Sequence, residues 1–153
     1  MITSDGCIVI APHEGRAARG GGGAETRIKA TGPETAGLLE VFEQVSTAGS
    51  GPPLHIHHEC AEALYVLEGE VKFDIGSDHV TASTGSFVFV PNGVPHTYTN
   101  VGPAEARVLF WFTPAARMAG YFEELANLKS WTQGDPALDD VASRHGIEIV
   151  RRS

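Results

Sequence analysis

The sequence predicts an all-β fold, a sandwich or barrel of short strands, with one or two short helices at the C-terminal end. Three observations carry this expectation. Turn signals recur along the middle of the chain, at Gly49-Ser50-Gly51-Pro52-Pro53, Glu68-Gly69-Glu70, Gly76-Ser77-Asp78, Thr84-Gly85, Pro91-Asn92-Gly93 and Gly102-Pro103. The segments between them are short and rich in β-branched and aromatic residues, which fit a pleated, half-buried surface. Within one of them Val71, Phe73 and Ile75 alternate with Glu70, Lys72 and Asp74, giving one buried face and one wet face.

Taken in order, residues 1–34 read as an N-terminal arm. It holds four consecutive glycines, Gly20 to Gly23, a stretch whose entropy opposes regular structure, so a mobile loop is expected there. A phosphate-cradling loop would need a following Lys-Ser/Thr and a helix start, which are missing. Residues 35–113 carry the strands. Two of these, Ser86 to Val90 and Val108 to Phe112, are apolar on nearly every position, so both faces should be covered by a subunit partner or a packed tail. Residues 114–153 read as a helical tail packed on the β body. Met118, Tyr121, Phe122, Leu125 and Leu128 fall at helical spacing, a stripe expected in the core or at a subunit contact. Asp135 and Pro136 then read as a cap and first-turn proline, and Gly146 as a stop. The two-sided strand and this stripe together predict a homodimer.

Composition excludes several classes of function. The chain has 153 residues, the size of one domain, with 11 Lys plus Arg against 19 Asp plus Glu and a formal charge of -8. A surface this acidic is repelled by phosphate backbones and anionic lipid, so neither nucleic acid nor membrane is an expected partner. No apolar run approaches the length of a membrane-spanning helix. The first residues lack the basic cluster and long apolar run of a secretory signal, so a cytoplasmic protein is expected. Cys7 and Cys60 are too few for a disulfide scaffold or a thiolate zinc cage.

The chemistry concentrates between Gly49 and Asn100. His55 and His57 are two residues apart, so on a strand both imidazoles share one face and can meet one ion. His58 has the opposite parity and should face away, as should Cys60, which reads as a small buried thiol. Simple alternation puts Glu59 on the ligand face, while Glu62 requires a bend before the next strand; spacing alone leaves both open. His96 follows a stiff Pro91-Asn92-Gly93-Val94-Pro95 turn. Three imidazoles and a carboxylate form a borderline N/O donor set suited to one divalent transition-metal ion: Fe, Mn, Ni, Co or Zn. His13, His79 and His145 lack any partner pattern and read as solvated or hydrogen-bonded histidines. By parity with His96, Tyr98 should point inward and touch the substrate, and Phe73, Ile75, Phe110 and Phe112 should supply apolar walls.

These residues resemble the two sequence motifs of the cupin superfamily, and ten specified positions match without a gap. The first motif is matched by Gly49, His55, His57, Glu62 and Gly69, the second by Gly85, Pro91, Gly93, His96 and Asn100. The resemblance implies a small antiparallel jelly-roll barrel with a metal inside one mouth. It implies His55, His57, Glu62 and His96 as the metal ligands, and so favours Glu62 over Glu59. Single-domain, quercetinase-like cupins also resemble the chain in its tail, at Phe122-Glu123-Glu124-Leu125 and Arg144 to Ile149. That likeness implies an oxidoreductase of dioxygenase type acting on a small phenolic or enolic compound, with Glu62 accepting the substrate proton as the catalytic group. A metal-dependent cyclase or isomerase of a small cyclic or polyketide-like substrate, and a non-catalytic small-molecule binder, are the alternatives the same fold implies.

Overall fold

A computed structural model describes residues 1–151. Its strands are β1 (Arg16–Arg19), β2 (Glu25–Ala30), β3 (Glu40–Ser46), β4 (His55–His57), β5 (Ala61–Glu68) and β6 (Glu70–Ile75). They continue as β7 (Asp78–Ser83), β8 (Phe87–Val90), β9 (His96–Asn100), β10 (Ala106–Thr113) and β11 (Ile147–Ile149). Two helices, α1 (Met118–Leu125) and α2 (Pro136–Arg144), separate β10 from β11. One sheet runs β1-β2-β3-β10-β5-β8 and the other β11-β4-β9-β6-β7, and every pairing is antiparallel. This is the mainly β, jelly-roll arrangement expected. The sheets reach beyond residues 35–113: β1 and β2 come from the N-terminal arm, and β11 from the tail.

Alternation decides which side chains fill the space between the sheets. On β3, Glu40, Phe42, Gln44 and Ser46 are buried; on β10, Ala106, Val108, Phe110 and Phe112 are. Val71 and Phe73 of β6 point inward and Glu70 outward, as the period-two pattern requires. Asn100 of β9 ties the two sheets together: its Nδ2 donates to the carbonyls of Ser46 and Ala104 at 2.9 and 2.7 Å, and its Oδ1 accepts from the Gly102 amide.

One expectation needs correction. The glycine run is a packed turn rather than a loop free of contacts. A Cβ at Gly21 would stand 2.5 Å from Pro52, one at Gly22 would stand 2.6 Å from the Gly51 carbonyl, and one at Gly23 would stand 2.9 Å from the Trp131 ring. Glycine is required there because other segments approach too closely for any side chain. The helical stripe takes the first of its two expected places, the core. Met118, Tyr121, Phe122 and Leu125 are buried within the chain, with the Phe122 ring 4.8 Å from Phe42 and 5.8 Å from Phe110. The tail therefore packs into the chain's own core. The outer face of β8 remains open in the single chain, with Phe87 58% and Phe89 52% exposed, because β8 is an edge strand.

Candidate metal centre

Both sheets contribute to one buried point. β4 is only three residues long, and it places His55 opposite His96 of β9 and opposite Ile149 of β11. Glu62 comes from β5 in the facing sheet, where it pairs with Phe112. The turn before β9 docks on the ligand strand, since the Gly93 amide donates to the His57 carbonyl at 2.8 Å. Gly93 takes φ +82 there, a conformation that L side chains rarely adopt. The ring centroids of His55 and His96 are 4.4 Å apart, and those of His55 and His57 4.9 Å. Glu62 Oε2 lies 2.7 Å from His96 Nε2 and 3.2 Å from His57 Nε2.

The donor chemistry fits a metal ion. The four ligand atoms of His55, His57, Glu62 and His96 all lie within 4.8 Å of one another. An ion with ligands at about 2.1 Å separates its donors by about 3 to 4.2 Å, so this cluster needs little contraction. His55 Nδ1 is 2.8 Å from the Pro53 carbonyl and His96 Nδ1 is 2.9 Å from the Val94 carbonyl. A carbonyl only accepts, so both Nδ1 atoms carry a proton, and both Nε2 atoms are the ring nitrogens turned to the cluster. His57 is buried and neither of its ring nitrogens makes a hydrogen bond, although Nε2 is close to Glu62. Such an orphaned buried imidazole is explained by an ion. Burial, reinforced by His96 and His57, lowers the His55 pKa to about 3, so its ring stays neutral and able to ligate. Burial opposes ionisation of Glu62, but His57 and His96 outweigh it and hold the carboxyl well below its usual range. Burial likewise works against a charged His96, and the Glu62 carboxylate overcomes it and raises that imidazole.

The neighbouring candidates fall away from the cluster. Residues 58 and 59 form a bend, which breaks the alternation that would have kept Glu59 on the ligand face. Glu59 instead meets Arg117 at 3.3 Å, and His58 meets Glu148 at 2.8 Å. Burial, with nearby Glu62, Glu40 and Glu59, pushes the buried Cys60 thiol up to about 12, far from the thiolate a metal needs. His13, His79 and His145 each have a polar partner at the surface: Arg107, Asp74 and Glu124 respectively.

Beside the cluster is a cavity of about 40 Å³, lined among others by Gln44, Pro52, Pro53, Tyr98, Phe110 and Phe112. That is room for a few water molecules, and a ring-sized ligand enters only if a wall moves. Tyr98 does point inward, and its hydroxyl accepts a hydrogen bond from Gln44 Nε2. Phe110 and Phe112 line the cavity. Phe73 and Ile75 are not among the lining residues, because β9 stands between β6 and the ligand strand β4. Phe73 packs behind Tyr98, with ring centroids 5.7 Å apart. Met118, Tyr121 and Phe122 of α1 complete the wall. Their helical spacing is plain in the sequence, but nothing in it says that the stripe faces the four clustered side chains.

A two-sheeted jelly roll with a buried three-histidine, one-carboxylate cluster is a metal-site scaffold of well-defined type. Residues 41–112, just under half of the chain, match the cupin domain family model. The chain is 28% identical over 71 residues to the quercetin 2,3-dioxygenase of Bacillus subtilis, covering 46% of this chain and 21% of that protein. It is 31% identical over 86 residues to protein SchB of Streptomyces halstedii, covering 55% of this chain and 62% of SchB. Polyketide synthase CurC of Streptomyces cyaneus is 28% identical over 86 residues, covering 55% of this chain and 56% of CurC. The chain thus spans less than two thirds of each of these curated relatives. Among solved structures, a Thermotoga maritima protein described as a predicted oxalate decarboxylase superposes with a TM-score of 0.65 at 21% identity, over 70% of this chain and 99% of that one.

Proposed function

We propose that this chain is a metal-dependent oxidoreductase of dioxygenase type acting on a small phenolic or enolic compound. The observation that carries the reading is the convergence of His55, His57, Glu62 and His96 on one buried point beside an apolar cavity. A divalent transition-metal ion held there supplies Lewis acidity toward a substrate hydroxyl and, for a redox-active metal, access to O₂ chemistry. The chain's own residues do the rest. Phe110, Phe112, Met118 and Phe122 hold the ring and exclude water. Glu62 is the one acidic side chain lining the cavity among the described residues, and as an ionised carboxylate it accepts the proton of the bound hydroxyl. The likeness to a quercetin dioxygenase supports the substrate class.

The likeness to a polyketide synthase favours a second reading, a cyclase or isomerase in which no O₂ is consumed. Oxygen uptake over a panel of phenols and flavonols, with metal-loaded protein, separates them. The expected result is uptake that tracks substrate loss. Turnover of a polyketide-like ring without uptake would replace this reading with the second, and binding without any turnover would leave a small-molecule-binding cupin.

The proposed working unit is a homodimer. Trp111, Ala63 and Phe89 lie in register across β10, β5 and β8, as do Leu109, Tyr65 and Phe87 in the next row. This apolar strip spans three strands on the outer face of the six-stranded sheet, and a second copy is its natural cover. Light scattering is expected to give twice 16.2 kDa, and a 16.2 kDa species at micromolar concentration would overturn the dimer.

A further inference from the structure

Helix α1 lies outside residues 41–112, yet it closes the cavity next to the four metal-binding side chains. It is fixed there by Glu40 of β3. The carboxyl oxygens of Glu40 accept from the backbone amides of Ala116, Met118 and Ala119 at 3.1, 2.8 and 3.2 Å. The helix so held presents two apolar side chains, Met118 and Phe122, and one polar one, Tyr121.

Tyr121 differs from the cavity's other phenol. Tyr98 already takes a hydrogen bond from Gln44, whose side-chain oxygen in turn lies 3.4 Å from the Thr26 hydroxyl. The Tyr121 hydroxyl has no hydrogen-bond partner among the described residues, although the residue is only 6% exposed. The nearest polar ring does not serve it. His145 stands 5.8 Å away centroid to centroid, with Nδ1 against the Arg117 carbonyl at 3.1 Å and Nε2 against Glu124 at 3.4 Å. Burial raises the Tyr121 phenol above its usual range, so it keeps its proton and remains a donor. The hydroxyl oxygen keeps some access to solvent, so at the cavity wall it is a donor open to an incoming oxygen.

We propose that Tyr121 is a specificity-determining residue of the cavity, donating a hydrogen bond to a substrate oxygen that lies away from the four metal-binding side chains. The inference rests on the reading of the site as one for phenolic or enolic compounds, and it narrows that class. The preferred ligand is a small ring with a further oxygen beyond those directed at the cluster. Entry displaces the α1 wall, where Met118 is the most adaptable side chain.

The test uses full-length protein loaded with cobalt(II), titrated anaerobically with catechol and with pyrogallol, which adds a third hydroxyl; the visible spectrum reports ligand at the metal. Wild type is expected to bind pyrogallol about five- to tenfold more tightly than catechol, the worth of one hydrogen bond. In Tyr121→Phe that preference should vanish while catechol affinity holds. The substitution keeps the ring packed against Phe122, and a melting curve verifies that the fold is kept. A wild type without the preference, a variant that retains it, or a variant that weakens both probes equally would each overturn the inference while leaving the phenolic reading in place. A wild type that binds neither probe overturns that reading, and this inference with it.

Discussion

Replacing His57 with Ala is expected to abolish stoichiometric metal binding. Wild-type protein should carry one equivalent of a divalent transition metal per chain by elemental analysis, and the variant close to none. The expectation follows from how completely His57 is committed. It is 5% exposed, it makes no hydrogen bond through either nitrogen, and its Nε2 lies 3.2 Å from Glu62. Among the described residues no imidazole or thiolate outside the four joins the cluster: His58 faces Glu148 and the Cys60 thiol is held protonated. A linked effect on stability should accompany the loss. A ligand that binds only the folded state stabilises it by about 4 kcal/mol when present at a thousandfold excess over its dissociation constant. Added metal should therefore raise the melting temperature of wild type and leave His57→Ala unmoved. A full equivalent of metal retained by the variant would rule out the assignment of these four ligands.

The second large effect is expected at Glu40, which is buried and is not one of the four clustered donors. It is 2% exposed and serves three backbone amides at the start of α1. Glu40→Ala leaves those amides buried without partners and opens a void beneath the helix. Each lost bond of this kind costs about 1 to 3 kcal/mol, so a loss of about 3 kcal/mol or more is expected. For a chain of this length that lowers the melting temperature by about 6 to 12 °C. Glu40→Gln, which keeps one acceptor oxygen, should fall between the two. Metal content should stay at one equivalent in both, because Glu40 is not among the four donors. Denaturant unfolding that shows a loss below about 1 kcal/mol for the Ala variant would refute the role given to Glu40.

The sequence by itself determined much of the site, because the information there is local. Parity within three residues places His55 and His57 on one face, and parity within β9 brings Tyr98 to the same interior as His96. The Asp135 cap was legible for the same reason. Its side chain accepts from the Ala137 amide at 2.9 Å, two residues along the chain. Residue pattern alone did not choose between Glu59 and Glu62, since the bend at residues 58 and 59 leaves no periodic trace; the motif resemblance favoured Glu62, and the geometry places it in the cluster.

Only the tertiary structure decided the rest. The glycine run reads as loose because glycine is flexible in isolation, and it is packed because Gly51, Pro52 and Trp131 arrive from elsewhere in the chain. The α1 stripe reads as core, and it turns out to be core that also walls the cavity. Glu40 reads as one charged residue opening a strand, and it becomes the anchor of a helix 76 to 79 residues away. In each case the deciding contact joins segments far apart in sequence. Alternation and helical spacing report which face of an element is apolar, and they say nothing of which distant segment that face will meet.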